Sequence, residues 1–487
     1  MERRTKIVAT LGPASDSPQR IRELISAGVD VVRLNLSHGN VEDHLERMDR
    51  VRAAADDVGR YVGVLADLPG PKLRAGEMPP DGLALVAGAE ISLCPGDGPS
   101  GDGVITVPYP TLLDDLVPGA RVQIGDGAIA IDVTSVDDGA AIARIDTGGH
   151  LAGRPGVHLP SERSRLRTPT DRDLELADEM SRAGADFLAV SFVRRPEDIE
   201  AVRSRIEGRT RLIAKIETSA AISCLAELVA AADAVMVARG DLGIDCPIED
   251  VPHLQKRIVR HCVEMGKPVI TATQMLESMI TSASPTRAEV SDIANSVFDG
   301  TDAIMLSGET AIGHDPVEVV RTMVSVAHRA EAEAGYGQWA RRMGRLHSDP
   351  EWLRAQGTEP VTAATTHAAS RASTDLDVDA ILCCSRSGRT ARAMARFRPE
   401  TTLFGLSPDP TTLRSMALIW GVEPLDVDAY GSTDEMVRRA VEACKRHGKI
   451  FAGNRVLVLA GVPDGHLGEP SERDVWGTDV MRIVRVD

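Results

Sequence analysis

The chain has 487 residues, 43% of them hydrophobic and 26% charged, so it is too long for one core and too apolar to be disordered. Its formal charge of −17 argues against non-specific binding to nucleic acid or to anionic membranes, which need basic surface. Aromatic residues supply only 3%, so the cores must be built from Val, Ile, Leu, Ala and Met.

Seven cysteines, odd in number and without a C-x-x-C spacing, read as buried thiols of a reducing compartment rather than a disulfide scaffold or zinc site. Met1–Thr10 opens without the apolar stretch of a signal peptide, and no run of about 18 apolar residues occurs. The expectation is a soluble cytoplasmic protein with no membrane and no nucleic-acid partner.

In chain order, eight short β-rich runs appear: Lys6–Thr10, Val29–Ser37, Val62–Leu68, Asp186–Val193, Arg211–Glu217, Ala234–Asp241, Pro268–Gln274 and Asp302–Ser307. Segments between them, such as Pro18–Ala27, Val41–Val58, Asp171–Arg182, Pro196–Ile206 and Val251–Met265, carry apolar residues at helical spacing. Strict alternation of strand and helix means parallel pairing, and eight units predict a closed (β/α)8 TIM barrel; an open doubly wound sheet is the alternative. Between Leu68 and Asp186 the rhythm breaks. Gly, Pro and Asp rise, and short runs (Val104–Val107, Arg121–Ile124, Ala128–Val133) alternate with hairpin-type turns. Residues 75–157 therefore read as a small all-β domain inserted over the barrel mouth as a lid, with 1–74 and 158–335 forming the barrel. Glu331–Gln356 reads as an Arg-rich connector. Residues 336–487 read as a C-terminal α/β domain with strands Ala380–Cys384, Thr402–Leu406 and Arg455–Leu459.

In such a barrel, chemistry belongs at the C-terminal strand ends. Arg33, Asn35 and Ser37 share one face of strand 2 by two-residue alternation, aimed at the mouth. Strand 3 ends at Asp67, followed by Leu68, two stiffening prolines, Lys72 and Arg74. Lys215 and Glu217 project to one side of strand 5, and Asp241 ends strand 6 opposite Glu217. A charge inside an apolar strand must be paired or bind something. Two carboxylates with few other oxygens suit Mg2+, with Mn2+ as the alternative ion. The competing reading is a buried ionic network that merely fixes the barrel. Thr273 adds a hydroxyl at the end of strand 7. In the last domain, Ser385-Arg386-Ser387-Gly388-Arg389-Thr390 follows a strand and opens a helix, an anion cradle or simply a set of helix caps. Gly96-x-Gly98-x-x-Gly101 matches a dinucleotide spacing, but no helix follows it, and no P-loop sequence occurs anywhere.

At these residues the chain resembles the pyruvate kinase family. The likeness runs through Lys6-Ile-Val-Ala-Thr-Leu-Gly-Pro-Ala-Ser, Arg33-Leu-Asn-Leu-Ser-His-Gly, Leu188-Ala-Val-Ser-Phe-Val-Arg, Ile213-Ala-Lys-Ile-Glu, Arg239-Gly-Asp-Leu-Gly, Thr271-Ala-Thr-Gln-Met-Leu-Glu-Ser-Met and Met305-Leu-Ser-Gly-Glu-Thr-Ala. The resemblance implies a (β/α)8 barrel, an inserted β-barrel lid domain, a C-terminal regulatory α/β domain, a homotetramer, and the glycolytic reaction of phosphoenolpyruvate and ADP to pyruvate and ATP. It implies that Glu217 and Asp241 hold Mg2+, and that the backbone of Gly240 and Asp241 positions the substrate carboxylate with the Thr273 hydroxyl. Arg33 and Lys215 would flank the phosphoryl group, and Ser191 would line the pocket. Asn35, His38, Arg74 and Arg172 would face the nucleotide phosphates.

Two departures stand out. Relatives that need K+ hold it with residues equivalent to Asn35, Ser37, Asp67 and the Leu68 carbonyl, and carry Glu where this chain has Lys72. A fixed ammonium there implies that K+ is not required. The close at Glu469–Asp487 departs from the family pattern, so the ligand of the Ser385–Thr390 loop, expected to be a phosphorylated effector, is left open. Two other functions compete: a Mg2+-dependent lyase or aldolase on pyruvate enolates, which would need no nucleotide, and a silent sensor on the same scaffold.

Overall fold

The computed structural model describes residues 3–101, 103–125, 127–355, 359–461 and 477–487. Eight parallel strands close on themselves: β1 (Lys6–Thr10), β2 (Val31–Asn35), β3 (Gly63–Asp67), β4 (Phe187–Val190), β5 (Arg211–Ile216), β6 (Ala234–Ala238), β7 (Val269–Ala272) and β8 (Ala303–Leu306). Each is followed by a helix of the outer ring: α1 (Pro18–Ala27), α2 (Val41–Val58), α3 (Asp171–Arg182), α4 (Pro196–Arg203), α5 (Leu225–Ala231), α6 (Val251–Met265), α7 (Arg287–Asp299) and α8 (Pro316–Glu331). Local chemistry sets their ends. Ser17 caps α1 ahead of Pro18, and Asn40 caps α2. Thr170 with Asp173 and Thr286 with Glu289 form reciprocal capping boxes for α3 and α7. The closed barrel, rather than the open sheet, is the fold.

Alternate residues of each strand divide between two cores. Ile7, Ala9, Val32, Leu34, Val64 and Leu212 face the helix ring, whereas Val8, Val31, Leu65, Phe187, Ile213, Met236, Ile270 and Met305 fill the interior. The interior is a packed core with no pore.

Between β3 and α3 the chain builds a seven-stranded, nearly closed barrel-like sheet with its own core of Leu93, Ile105, Val122, Ile131 and Ala143. It is rooted where Leu73–Arg74 pairs with Gly156–His158, so the chain enters and leaves this lid through adjacent antiparallel segments. The C-terminal sheet consists of β9 (Ala380–Cys384), β10 (Thr402–Ser407), β11 (Val422–Asp426), β12 (Arg455–Ala460) and β13 (Val480–Arg485), with helices α9 (Pro360–Asp375), α10 (Arg389–Ala395), α11 (Pro410–Met416) and α12 (Thr433–Arg446). Strands β11 and β13 are additions to the sequence reading. The connector also holds more structure than its composition suggests: Tyr336–His347 and Pro350–Ala355 are helices, the first burying Tyr336, Met343 and His347 between arginines.

The C-terminal domain closes the N-terminal end of the barrel. Ala417 and Leu418, just after α11, join the interior core from below. Around them Arg414 pairs with Asp186 at 2.8 Å, Arg398 with Asp302 at 3.0 Å, and the Lys6 ammonium donates to the Val422 carbonyl at 2.7 Å. The Arg398 guanidinium also lies 4.8 Å from the centroid of the buried Trp420 ring. Only the C-terminal mouth stays open. Leu418→Ala should leave a cavity at this floor and lower the unfolding free energy by about 3 kcal/mol in urea titrations; a loss under about 1 kcal/mol would mean the floor is not a packed part of the barrel core.

Candidate active site at the barrel mouth

Continuing the interior-facing alternation upward, the apolar layers give way to charge. Arg33 and Asn35 follow Val31, Asp67 follows Leu65, Ser191 follows Ala189, and Lys215 and Glu217 follow Ile213. Arg33, Asn35, Asp67, Ser191 and Lys215, with Ser37, Leu68, Lys72, Asp241, Thr273 and Ser307, surround a small pocket at the C-terminal strand ends, and Glu217 borders the cleft above it.

Asp67 is the hub. Its carboxylate takes the Arg33 Nε and a terminal guanidinium nitrogen, each at 2.7 Å, and lies 3.4 Å from the Lys215 ammonium. Asp67 and Lys215 are 2% and 8% exposed, so the pairing occurs out of bulk water. Burial alone would raise the Asp67 carboxyl, but Lys215 and Arg33 outweigh it and hold it below the usual carboxylate range. Burial alone would likewise lower Lys215. Asp67, then Glu217 and Asp241, overcome that and keep the ammonium firmly charged. Lys215 also donates to the Ser191 hydroxyl at 2.6 Å.

Glu217 is less settled. Its Oε1 accepts the Phe192 N–H at 2.5 Å, from a residue whose φ of 56° is unusual for a bulky side chain. Its Oε2 is buried and lacks a hydrogen-bond partner, because the Lys215 ammonium at 3.3 Å approaches outside hydrogen-bonding geometry. Burial pushes the Glu217 carboxyl up to about 7, with Lys215 opposing and Asp241 adding to the rise. Asp241 borders the small pocket and shares with Glu217 the larger cleft above it, and no hydrogen bond or ion pair joins its carboxylate to another described residue. An orphaned buried oxygen beside a second open carboxylate fits a divalent cation. Among the described residues no group of three or more His, Cys, Asp or Glu converges on a metal position.

Thr273 sits in the left-handed region with φ of 69°, and Gln274 beside it with φ of 56°. Its hydroxyl accepts from the Gly240 N–H at 2.9 Å and donates to the Ala272 carbonyl at 2.6 Å. Arg239 holds this turn. Its guanidinium donates to the carbonyls of Ala272 at 3.1 Å and Thr273 at 2.6 Å, while Asp292 at 2.7 Å balances it. The sequence had offered Arg239 only as part of a motif; its work as a backbone clamp needs the fold.

Above the small pocket, a cleft of about 430 Å3 separates barrel from lid, lined by His38, Lys72, Arg74, Phe192, Glu217, Asp241 and parts of the segment from Pro155 to Thr168. Gly70, with φ of 68°, lets the turn before Lys72 lie against Phe192; a Cβ there would come within 2.7 Å of the ring. Asn35 accepts the Ser37 N–H at 3.2 Å, which fixes the strand end. Arg172 stands apart. It is exposed on the first turn of α3, folded back onto Glu175 at 2.9 Å, and it lines neither cavity. In the Ser385–Thr390 loop, Gly388 is left-handed with φ of 77°, and Arg386, Ser387 and Arg389 are exposed. Thr390 is not free: its buried hydroxyl meets that of Thr478 at 2.9 Å. Of the divergent close, residues 469–476 lie outside the described residues.

Comparison with known proteins decides the family. Residues 2–320 match the family model "Pyruvate kinase, barrel domain" and residues 363–483 match "Pyruvate kinase, alpha/beta domain". A pyruvate kinase of Methylorubrum extorquens is 41% identical over 99% of this chain and 98% of its own length. One from Geobacillus stearothermophilus is 39% identical over 96% of this chain and 79% of its own length, and one from Staphylococcus aureus is 38% identical over the same shares. The chain belongs to the pyruvate kinase family. As a pyruvate kinase it is a glycolytic phosphotransferase; the family implies phosphoenolpyruvate and ADP/ATP as substrates and a divalent cation. No helix among the described residues is long and apolar enough to cross a membrane.

Proposed function

We propose that the mouth of the barrel transfers the phosphoryl group of phosphoenolpyruvate to ADP, with Mg2+ held by Glu217 and Asp241. The observation that carries this reading is the Arg33–Asp67–Lys215 triad beside the orphaned Glu217 oxygen. A divalent ion bound there would supply fixed positive charge to the substrate's carboxylate and enol oxygen. Arg33 and Lys215 bring a guanidinium and an ammonium to the two sides of Asp67. They are thus charged and oriented before any substrate arrives. A phosphoryl group in transfer spreads negative charge over its oxygens and needs little covalent help, so preorganised cations suffice. Ser191 orients the Lys215 ammonium. The Gly240 and Asp241 backbone and Thr273 Oγ1 take the substrate carboxylate, and the Thr273 hydroxyl, through water, relays a proton to the methylene carbon of the enolate as pyruvate forms. His38, Arg74 and Asn35 serve the nucleotide phosphates from the cleft. Arg172 joins them only after leaving Glu175.

Lys72 borders both the small pocket and the cleft, which supports its standing in for K+ beside Asn35, Ser37, Asp67 and Leu68. The Ser385–Thr390 loop is proposed as the seat of a phosphorylated allosteric effector through its exposed Arg386, Ser387 and Arg389. A homotetramer in the cytoplasm completes the proposal, with the chain divided as 1–74 plus 158–335, 75–157 and 336–487.

The test is a coupled assay of pyruvate formation. Lys215→Met should lower kcat roughly 10³-fold, the scale on which a phosphoryl-stabilising cation acts, and turnover by the parent should depend on ADP. A Lys215→Met enzyme as fast as the parent, or ADP-independent pyruvate release, would refute the reading. Replacing K+ with Na+ or choline should leave the parent's rate nearly unchanged, whereas Lys72→Glu should create a K+ requirement; strong activation of the parent by K+ would contradict the role given to Lys72.

A further inference from the structure

The short helix Arg239–Asp245 after β6 carries Asp241 at its start and Asp245 at its end, one turn apart on one face. Asp245 has no place in the chemistry proposed above, yet its carboxylate is heavily engaged. One oxygen accepts the Ser219 N–H at 2.6 Å and the Ser161 hydroxyl at 2.5 Å; the other lies 3.2 Å from the Ser161 N–H. The two hydroxyls, of Ser161 and Ser219, meet at 3.1 Å, and the Ala220 N–H reaches Ser161 Oγ at 3.3 Å.

The three segments joined here have different duties. Ser219 lies two residues beyond Glu217, at the start of the short helix Ser219–Ser223 that follows β5. Asp245 shares a helix with Asp241. Ser161 belongs to the segment by which the chain returns from the lid, three residues after the lid strand Gly156–His158. Beside it the lid touches the same helix directly, since the Gln123 side-chain amide donates to the Ile244 carbonyl at 2.5 Å. Lower in the return segment, the Arg194 guanidinium donates to the carbonyls of Ser164 (2.5 Å) and Leu166, while Ser161 is the residue of the segment that bonds Asp245. Through Asp245, the spacing between Glu217 and Asp241 and the position of the lid are therefore fixed by one carboxylate. Charge-assisted bonds of this kind are about twice as strong as neutral ones.

We propose that Asp245 is a positioning residue that couples the lid to the pair of carboxylates holding the divalent ion. The inference rests on the assignment of Glu217 and Asp241 to that ion. Because coupling is reciprocal, a cation drawing Glu217 and Asp241 together must steady the lid, and a lid docked on the helix must favour the cation.

The experiment uses the full-length enzyme with Mn2+ as probe. Mn2+ binding is followed by electron paramagnetic resonance, and hydrogen exchange is followed in the lid strand Arg121–Ile124. In the parent, Mn2+ should slow exchange in that strand. Asp245→Asn should weaken Mn2+ binding roughly 10-fold, as loss of an outer partner of metal ligands does, and abolish the slowing. Ser161→Ala removes the hydroxyl by which the lid's return segment grips Asp245, Ser219 and Ala220 but leaves Asp245 on the Ser219 N–H, so it should bind Mn2+ close to the parent and still lose the slowing. That split is one that simple destabilisation would not produce, and it stands even if Asp245→Asn folds poorly. Asp241→Asn separates the two ways of failing. If it binds Mn2+ like the parent, the ion assignment falls and the coupling with it. If it loses Mn2+ while Ser161→Ala and Asp245→Asn keep the parent's lid response, the assignment stands and the coupling alone is overturned.

Discussion

An ammonium buried on top of an apolar barrel core is the constraint from which the rest of this structure follows. Lys215 stands above Ile213 and below open solvent, and it stays charged only because Asp67 and Glu217 lie within 3.4 Å and 3.3 Å. Lys215 and then Arg33 outweigh the burial of Asp67 and hold its carboxyl below the usual carboxylate range. The arrangement is electrostatically uneven by design of position: Asp67 has two cations, whereas Glu217 has a share of one and a bare oxygen. On the proposed reading, that imbalance suits the site to further positive charge beside Glu217 and to a negative group near Arg33 and Lys215.

Holding such a cluster in register demands rigid surroundings, and the fold supplies them at both ends. Below, the C-terminal domain closes the barrel with Leu418 and anchors itself through Arg398 and Arg414, so the strands that carry the site cannot spread. At the mouth, strain is accepted where it aims a group: Phe192, Thr273 and Gln274 all take left-handed backbone, presenting an N–H to Glu217 and a hydroxyl to Gly240. Arg239 keeps the Thr273 turn in that conformation by binding its carbonyls. The lid, by contrast, has a separate core and meets the barrel through a few polar contacts, as expected of a part that moves while the site beneath it stays fixed.

Much of this was legible before any coordinates. Every barrel strand lies within a β-rich run of the sequence, because parallel strands buried on both faces are short, aliphatic and separated by amphipathic helices. Two-residue alternation placed Arg33 with Asn35 and Lys215 with Glu217 on the interior face. What the sequence withheld has physical causes. Strand β11 contains Pro424 and two acidic residues, which its place at the sheet edge tolerates. The helix Tyr336–His347 is hidden by its arginines, since its buried stripe is only a few residues wide. From the sequence, a helix-cap or ion-pair role for Asp67 is about as plausible as a functional one, and the convergence of β2, β3 and β5 shows that it serves two cations. Arg172 illustrates the opposite limit: a motif position says which segment a residue occupies, and not whether its side chain is spent on a neighbouring glutamate.

The central claim is that the open oxygens of Glu217 and Asp241 form one divalent-cation site directly beside the Lys215 ammonium. Anomalous diffraction at the manganese edge, from crystals grown with Mn2+ and phosphoenolpyruvate, tests it without recourse to rates. The account predicts one strong peak between these two carboxylates, with the remaining coordination filled by substrate and water. A peak elsewhere, or Glu217 contacting only Lys215 and Phe192 with the substrate in place, would contradict it.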